Sequence, residues 1–149
     1  MTDWSLLAAN SHYQTAVAVR DEIASGDYEE ARKGIEELID ALSRADRRAL
    51  QSHLVILMSH IFRWRTQPRK RSRGWSLSIA NARDAIEDVR EDTPSLTRGA
   101  IELIWQRAER KAVRDAEREM GQPPIITSLT WDEVFLDPYE IEPDDPTSP

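Results

Sequence analysis

Apolar residues recur at helical spacing through the middle of the chain and predict its central helix. Between Leu50 and Trp64 one stripe repeats every three or four residues, and further apolar residues cover other sides. A helix that is apolar on several sides has to be surrounded by other elements, so this segment is predicted to lie at the centre of a bundle. The stripe contains Leu50, Leu54, Leu57, Met58 and Ile61, with Val55, Ile56 and Phe62 on other sides.

The preceding segment has the pattern of a helix that begins after Asp27. Glu30 stands three residues later in capping-box position, and the apolar residues that follow are predicted to form one core face. Near Ser43 the sequence favours a turn, because Ser43-Arg44-Ala45-Asp46 has the form of another N-cap with an acidic third residue. No glycine or proline forces a break, so a kinked continuous helix stays open. The predicted core face comprises Tyr28, Ala31, Ile35, Leu38, Ile39 and Leu42.

Helix start and stop signals define the remaining elements. Gly26 and Gly121 follow apolar-periodic runs, where glycine accepts the left-handed conformation that ends helices. Pro68 ends the central helix, and Thr93-Pro94 predicts the start of the last long helix. The five predicted helices span about residues 3 or 11–24, 28–43, 44–64 or 66, 76–91 and 94–120.

The C-terminal residues predict a short arm that docks on the helices. Thr130 and Glu133 form a capping box, and the apolar anchors of this arm are Trp131, Val134, Phe135 and Leu136. The expected fold is therefore all-α: a helical bundle, four-helix-bundle-like, with about five helices and a docked arm. We expect a single domain over residues 1–142 and a mobile acidic tail over residues 143–149.

Composition narrows the classes of function. The chain has 149 residues, a net charge of −7 and no cysteine, which excludes disulfides, thiolate catalysis and cysteine-bound zinc. No apolar run reaches the ~20 residues of a membrane span, and the N-terminus lacks a secretory-signal pattern. We therefore expect a cytoplasmic protein that does not bind membranes.

The charges are strongly segregated along the sequence. Residues 63–83 carry seven basic and no acidic side chains, whereas residues 121–149 carry seven acidic and no basic ones. The first interpretation is internal: the acidic tail or a neighbouring helix neutralises the basic island. The second is an external anionic partner.

The residues from Ile35 to Leu96 resemble the bacterial family known as domain of unknown function 29. The most specific part is His60-x-x-x-Trp64-x-x-Gln67-Pro68 followed by Arg71-Ser72-Arg73-x-Trp75. The resemblance implies a variant of the four-helix bundle and brings no known activity, cofactor or catalytic residue. The chain departs from the family at Leu38, which stands where a second glutamate is usual. Other matching residues are Glu37, Asp40, Arg47, Arg48, Leu50, Ile79, Arg83, Pro94, Ser95, Leu96, Ala112, Ala116, Glu119 and Gly121.

Four polar residues form the first candidate site: Glu37, Asp40, His53 and His60. If the chain turned near Ser43, antiparallel pairing would bring Glu37 toward His53. Bundles do build metal sites from facing glutamates and histidines, but usually with a Glu-x-x-His step that this chain lacks. The sequence therefore favours hydrogen-bonded structural groups, with a metal as the alternative, and we expect no cofactor.

The basic segment is the second candidate site. Arginine forks grip phosphate oxygens and tryptophans stack on bases, which would suit nucleic acid. Alternatively, the arginines stack on Trp64 and Trp75 or pair with acidic side chains of adjacent helices, or they contact a protein partner. The candidate residues are Arg63, Trp64, Arg65, Gln67, Arg69, Lys70, Arg71, Arg73 and Trp75.

These patterns favour a non-catalytic protein-interaction module. The chain has no nucleophile-elbow motif and no phosphate-binding glycine loop. A long helix with small alanines and an acidic arm suits self-association or one protein partner. The alternatives are a nucleic-acid-associated accessory protein that uses the basic loop 63–73, and a metal-binding bundle.

Overall fold

The computed structural model describes residues 2–141, and these residues contain helices and no strand. They fall into two compact units, with the boundary between residues 48 and 49. The expected mobile tail at 143–149 lies outside the described residues, and the expectation of one domain over 1–142 stays a prediction. The all-α class is confirmed. The helices are α1 Trp4–Asn10, α2 His12–Ser25, α3 Tyr28–Thr66, α4 Arg73–Asp92, α5 Arg98–Met120 and α6 Trp131–Phe135, with a 3-10 turn at Pro68–Lys70.

Helix α3 is one continuous helix of 39 residues, so the favoured turn near Ser43 is wrong. The Ser43–Asp46 capping pattern does not act as a cap, because the backbone there stays helical and contains neither glycine nor proline. The predicted start holds: the Asp27 carboxylate accepts a hydrogen bond from the Glu30 N–H at 3.2 Å. Gly26 before it adopts φ 83°, the left-handed conformation expected of a glycine at a helix end.

In the first unit, both proposed starts of the first helix are real caps. Asp3 accepts a hydrogen bond from the Leu6 N–H and begins α1, and Ser11 accepts one from the Gln14 N–H and begins α2. The core of this unit contains Trp4, Val19 and Ala31.

Gly34 is what allows α3 to receive this core. A Cβ at that position would lie 2.6 Å from Val19 and 2.7 Å from Trp4, closer than real Cβ atoms approach other atoms. The buried face of α3 in the first unit is therefore formed by its small residues, Ala31, Gly34 and Ala41. The Trp4 indole Nε1 donates to a Glu30 carboxylate oxygen at 2.9 Å, which satisfies the polar edge of the buried ring.

The core stripe predicted for residues 28–42 is largely wrong. Ala31 is buried and Leu38 half-buried, but four large apolar side chains are exposed on the adjoining face of the helix. We call these four the α3 apolar row: Tyr28 is 69% exposed, Ile35 43%, Ile39 59% and Leu42 42%. The small residues face inward because only they leave room for the Trp4 ring.

In the second unit, the central segment is buried as predicted. Leu50, Leu54, Leu57, Met58 and Ile61, together with Phe62, have no exposed surface. They share one core with Ile79 and Ile86 of α4 and Ile101 of α5. Ala108, Ala112 and Ala116 of α5 are also fully buried, as close helix packing requires. Ile56 is the exception to the prediction, because it is 46% exposed.

Helix α5 begins later than predicted. Thr93 is the C-cap of α4 rather than the N-cap of α5, and its N–H donates to the Val89 carbonyl at 2.9 Å. Residues 94–96 form a turn whose Leu96 is buried, and the Thr97 hydroxyl then caps α5 through the Ala100 N–H. The end at Gly121, with φ 71°, is as predicted.

The C-terminal segment packs into the second unit. The Thr130–Glu133 capping box is present in both directions, and Val134 and Tyr139 are buried. The Tyr139 carbonyl accepts from the Ser76 hydroxyl at 2.6 Å, which ties the segment to α4. Leu136 was expected to be an anchor and is instead 66% exposed. In the described residues no helix is both long and apolar enough to cross a membrane.

Candidate functional site

The four polar residues of the first candidate site are not brought together as a metal cluster. Glu37 and Asp40 lie in the first unit, and His53 and His60 in the second. Because α3 does not turn, fifteen residues of uninterrupted helix separate Glu37 from His53, and the antiparallel pairing does not form. Residues 2–141 contain no group of three or more histidine, aspartate or glutamate side chains placed to hold a metal ion.

His60 is held by two neighbours within its own unit. Its Nδ1 lies 2.8 Å from the Ile56 carbonyl oxygen, so Nδ1 carries the proton and donates. Its Nε2 then accepts from the Arg63 guanidinium at 2.9 Å. Burial is the main cause that lowers the pKa of His60 below its usual 6.5, and the positive charge of Arg63 lowers it further. The imidazole is therefore a neutral structural group that orients an arginine.

Arg63 connects His60 to the start of α4. Its guanidinium lies over the Trp75 ring, 5.7 Å from the centroid, and 4.0 Å from the Glu119 carboxylate of α5. Only 14% of its side chain is exposed. Its buried Nε has no hydrogen-bond partner among the described residues. Arg63 therefore fixes the Trp75 end of the basic segment by stacking and charge.

Trp64 fixes the other end. Its ring is 5% exposed and meets the Tyr139 ring edge-on at 5.8 Å. Arg71 lies over the Trp64 ring, 4.9 Å from its centroid, and also donates from Nε to the Trp64 carbonyl at 2.8 Å. The indole is therefore buried against an arginine and a tyrosine and is not exposed for stacking on a base.

Arg65 joins the basic segment to α6. It donates to a Glu133 carboxylate oxygen at 2.6 Å. The pKa of Glu133 is lowered, first by the Thr130 backbone N–H that its other oxygen accepts and then by Arg65. The acidic C-terminal part thus neutralises one arginine of the basic island, which agrees with the internal interpretation for this residue.

The remaining candidate residues differ in exposure. Gln67 is half-buried and begins the 3-10 turn. Arg69, Lys70 and Arg73 are exposed, and none of them makes a hydrogen bond or ion pair with another described residue. The basic segment is therefore two sets: packed arginines at 63, 65 and 71, and three exposed cations. Whether the exposed set binds a ligand stays a prediction.

Arg83 holds the C-terminal segment and was not among the predicted site residues. It donates to the carbonyls of Val134 and Asp137, both at 2.8 Å, where α6 ends and its carbonyls lack helical partners. It also lies over the Tyr139 ring at 5.3 Å. Burial lowers the pKa of Arg83 and raises that of Tyr139 to about 12. The signal in the sequence was an arginine between two core positions of α4, Ile79 and Ile86.

Sequence reasoning also missed a row of cations on α5. We call it the α5 basic ridge: Arg107, Arg110, Lys111, Arg114 and Arg118. Steps of three, one, three and four residues place all five on one helical face, over about 16 Å of helix. None of them makes a hydrogen bond or ion pair with another residue of the described range. The signal was this spacing, which the net negative charge of the surrounding segment concealed.

Two grooves border this ridge. One, of about 520 Å³, lies between α3 and α5 and is lined by Gln51, Ser52, Val55, Ile56, Lys111, Arg114, Asp115 and Arg118. The other, of about 480 Å³, is lined by Arg110, Val113, Arg114 and Thr127. Arg114 is common to both. Each groove combines cationic and apolar side chains.

Comparison with known proteins identifies the family. The family described as "Domain of unknown function DUF29" matches residues 22–139. No curated protein and no solved structure matches the chain. The matched range covers the basic segment, the α5 basic ridge and α6. It spans well over half of the chain, and the protein therefore belongs to the DUF29 family.

Proposed function

We propose that this protein is a protein-interaction module rather than an enzyme, and that it pairs with a second copy of itself through the α3 apolar row. The single observation that supports this proposal is the exposure of Tyr28, Ile35, Ile39 and Leu42 on one helical face. Contiguous apolar surface of this kind on a soluble protein is typical of an interface.

The spacing of the row suits a helix partner. Steps of seven, four and three residues keep the four side chains in one stripe along about four turns of α3. One flank is already neutralised, because Arg32 pairs with Glu29 at 2.6 Å and with Glu36 at 2.7 Å. A partner therefore meets an apolar stripe beside three charged side chains that are already paired with one another.

The partner that best fits the α3 apolar row is a second copy of the chain, because the row is complementary to itself. Two identical surfaces can face each other across a two-fold axis, which is the commonest symmetry of soluble oligomers. With the axis near Ile35, the middle of the row, Tyr28 of one copy meets Leu42 of the other. No charge of the flanking group is then buried without its partner.

The nucleic-acid alternative through residues 63–73 has weaker support. Three of the six cations there are engaged within the chain: Arg63 with Trp75, Arg65 with Glu133 and Arg71 with Trp64. The two tryptophans pack into the unit and are not displayed for stacking. What remains is a set of three exposed cations, which supports a weak phosphate contact at most.

Sedimentation equilibrium of the full chain tests the proposal. We expect twice the monomer mass for the wild type and the monomer mass for Ile35→Glu/Ile39→Glu, because two charges would be buried at the contact. The control is Leu103→Glu, which places the same charge at an isolated side chain that is 89% exposed. A monomeric wild type at high concentration, or dissociation by the control as well, would contradict self-pairing.

A further inference from the structure

We infer that the groove between α3 and α5 in the second unit binds an acidic, amphipathic segment of a protein partner. The observation is a juxtaposition: an apolar floor of Val55 and Ile56 lies beside three cations that form no ion pair within residues 2–141, Lys111, Arg114 and Arg118. This site is on the second unit and goes beyond self-pairing, because none of its residues belongs to the α3 apolar row.

The cations favour an anionic ligand. Arg65 of the same unit, by contrast, forms an ion pair with Glu133. The five cations of the α5 basic ridge have no such partner among the described residues. Asp115 is the one carboxylate that the described residues contribute to the groove lining. A ligand that brings carboxylates would supply the missing charge.

The floor selects a ligand with apolar side chains. Ile56 is 46% exposed although it belongs to the helix with the most buried core residues of its unit. Gln51 and Ser52 add hydrogen-bonding groups at one end. An apolar side chain every three or four residues, alternating with carboxylates, would contact both the floor and the cations, as in other helix-in-groove complexes.

Nucleic acid fits the groove less well. No aromatic ring is among the described residues that line it, so a base has nothing to stack on. The ridge is about 16 Å long, which suits a segment of three helical turns and gives only a few phosphate contacts. The net charge of −7 also opposes a long polyanion more than a short peptide.

Selection from a library of random 16-residue peptides on the full chain, followed by fluorescence anisotropy of the enriched peptides, tests the inference. We expect enrichment of sequences in which Asp or Glu alternates with aliphatic or aromatic residues. Lys111→Glu/Arg114→Glu/Arg118→Glu should weaken their binding at least about tenfold, because three attractions become repulsions. Ile56→Ser, which leaves every charge in place, should weaken it severalfold.

The matched control is Arg69→Glu/Lys70→Glu/Arg73→Glu, which changes the net charge equally at exposed cations away from the groove. It should leave the affinity within about twofold. Equal loss in this control would show general charge attraction and overturn the inference. A peptide selection that shows no enrichment of acidic sequences would also overturn it. So would a 16-nucleotide single strand that binds the wild type more tightly than the peptides do and that the Lys111→Glu/Arg114→Glu/Arg118→Glu variant no longer binds. Ile35→Glu/Ile39→Glu should bind the peptides normally, which separates this test from that of self-pairing.

Discussion

The two halves of α3 use their large apolar residues in opposite ways. In the second half, Leu54, Leu57 and Ile61 are fully buried. In the first half, Ile35, Ile39 and Leu42 are exposed and the buried face consists of alanine and glycine. An apolar stripe at helical spacing thus shows that a face is available for contact. It does not show whether that contact is made with the chain's own core. In the first half of α3 the core contact is made by the small residues, because only they leave room for the Trp4 ring.

The largest expected effect is the difference in stability loss between two truncations, one in each half of α3. Leu57→Ala should lower the free energy of unfolding by about 2–5 kcal/mol, because it leaves a cavity in a fully buried site. Ile39→Ala should change it by less than about 0.5 kcal/mol in dilute protein, where no copy covers the row. Urea denaturation followed by circular dichroism measures both. Similar losses for the two variants would contradict the contrast.

A methyl group added to the small-residue face should have the next largest effect. Gly34→Ala places its Cβ 2.6–2.8 Å from Val19 and Trp4, so we expect a loss of about 1–3 kcal/mol from overpacking. Gly74→Ala is the control, because its Cβ would meet only the Ser72 hydroxyl at 3.6 Å. We expect that control to be neutral or stabilising by up to about 1 kcal/mol in the same denaturation assay. A stabilised Gly34→Ala would show that the core of the first unit is looser than described.

Removal of the Arg83 guanidinium should release the C-terminal segment of the second unit. Arg83→Met keeps the apolar stem but leaves the Val134 and Asp137 carbonyls without their donor, a loss of about 1–3 kcal/mol. Amide exchange in residues 129–139 should accelerate more than in the buried part of α3. Arg69→Met is the control, because that arginine is exposed and makes no ion pair with a described residue. Unchanged exchange in Arg83→Met would contradict the role assigned to Arg83.

The smallest effect is a pH dependence that involves His60. Its pKa is lowered in the folded chain, so the unfolded chain binds more protons as the pH falls below about 6.5. The contribution of His60 to stability is therefore complete above that pH and declines as the pH falls from about 6.5 toward the lowered pKa of the folded chain. The lowered pKa of Glu133 acts in a more acidic range, below 4.5.

Urea midpoints at pH 7.5 and pH 5.5 measure this contribution. His60→Gln, which cannot titrate, should lose less stability than the wild type between these two values. His12→Gln, at an exposed position of α2, should behave as the wild type. The predicted sign would be wrong if the wild type had a higher urea midpoint at pH 5.5 than at pH 7.5 and if His60→Gln lowered the midpoint at pH 5.5.

Local signals in the sequence predicted much of the fold. Asp27, Gly26, Gly121 and the Thr130–Glu133 box act where they were expected, because caps depend on a few adjacent residues. The packing of tryptophans with arginines around residues 63–75 was one of the alternatives drawn from residue types alone. The continuous course of α3 through Ser43 was not favoured, because a capping pattern outweighed the lack of a helix breaker.

The orientation of faces could not be predicted from the same signals. Trp4 lies 30 residues before Gly34, and only their contact determines that the small face of α3 is buried. The α5 basic ridge was hidden for a related reason: net charge over a segment does not report which face each charge occupies. Tertiary contacts determine which face of α3 is buried, and helical phase determines which face of α5 carries the cations; neither follows from periodicity or composition alone.

The measurement that tests the central proposal most directly uses the absence of native cysteine. A two-fold contact through the α3 apolar row brings the middle of the row close to its own copy. Ile35→Cys should therefore form an intermolecular disulfide rapidly under mild oxidation, whereas Leu103→Cys, at an exposed position of α5, should stay largely monomeric. Equal and slow crosslinking of the two variants would contradict pairing through this surface.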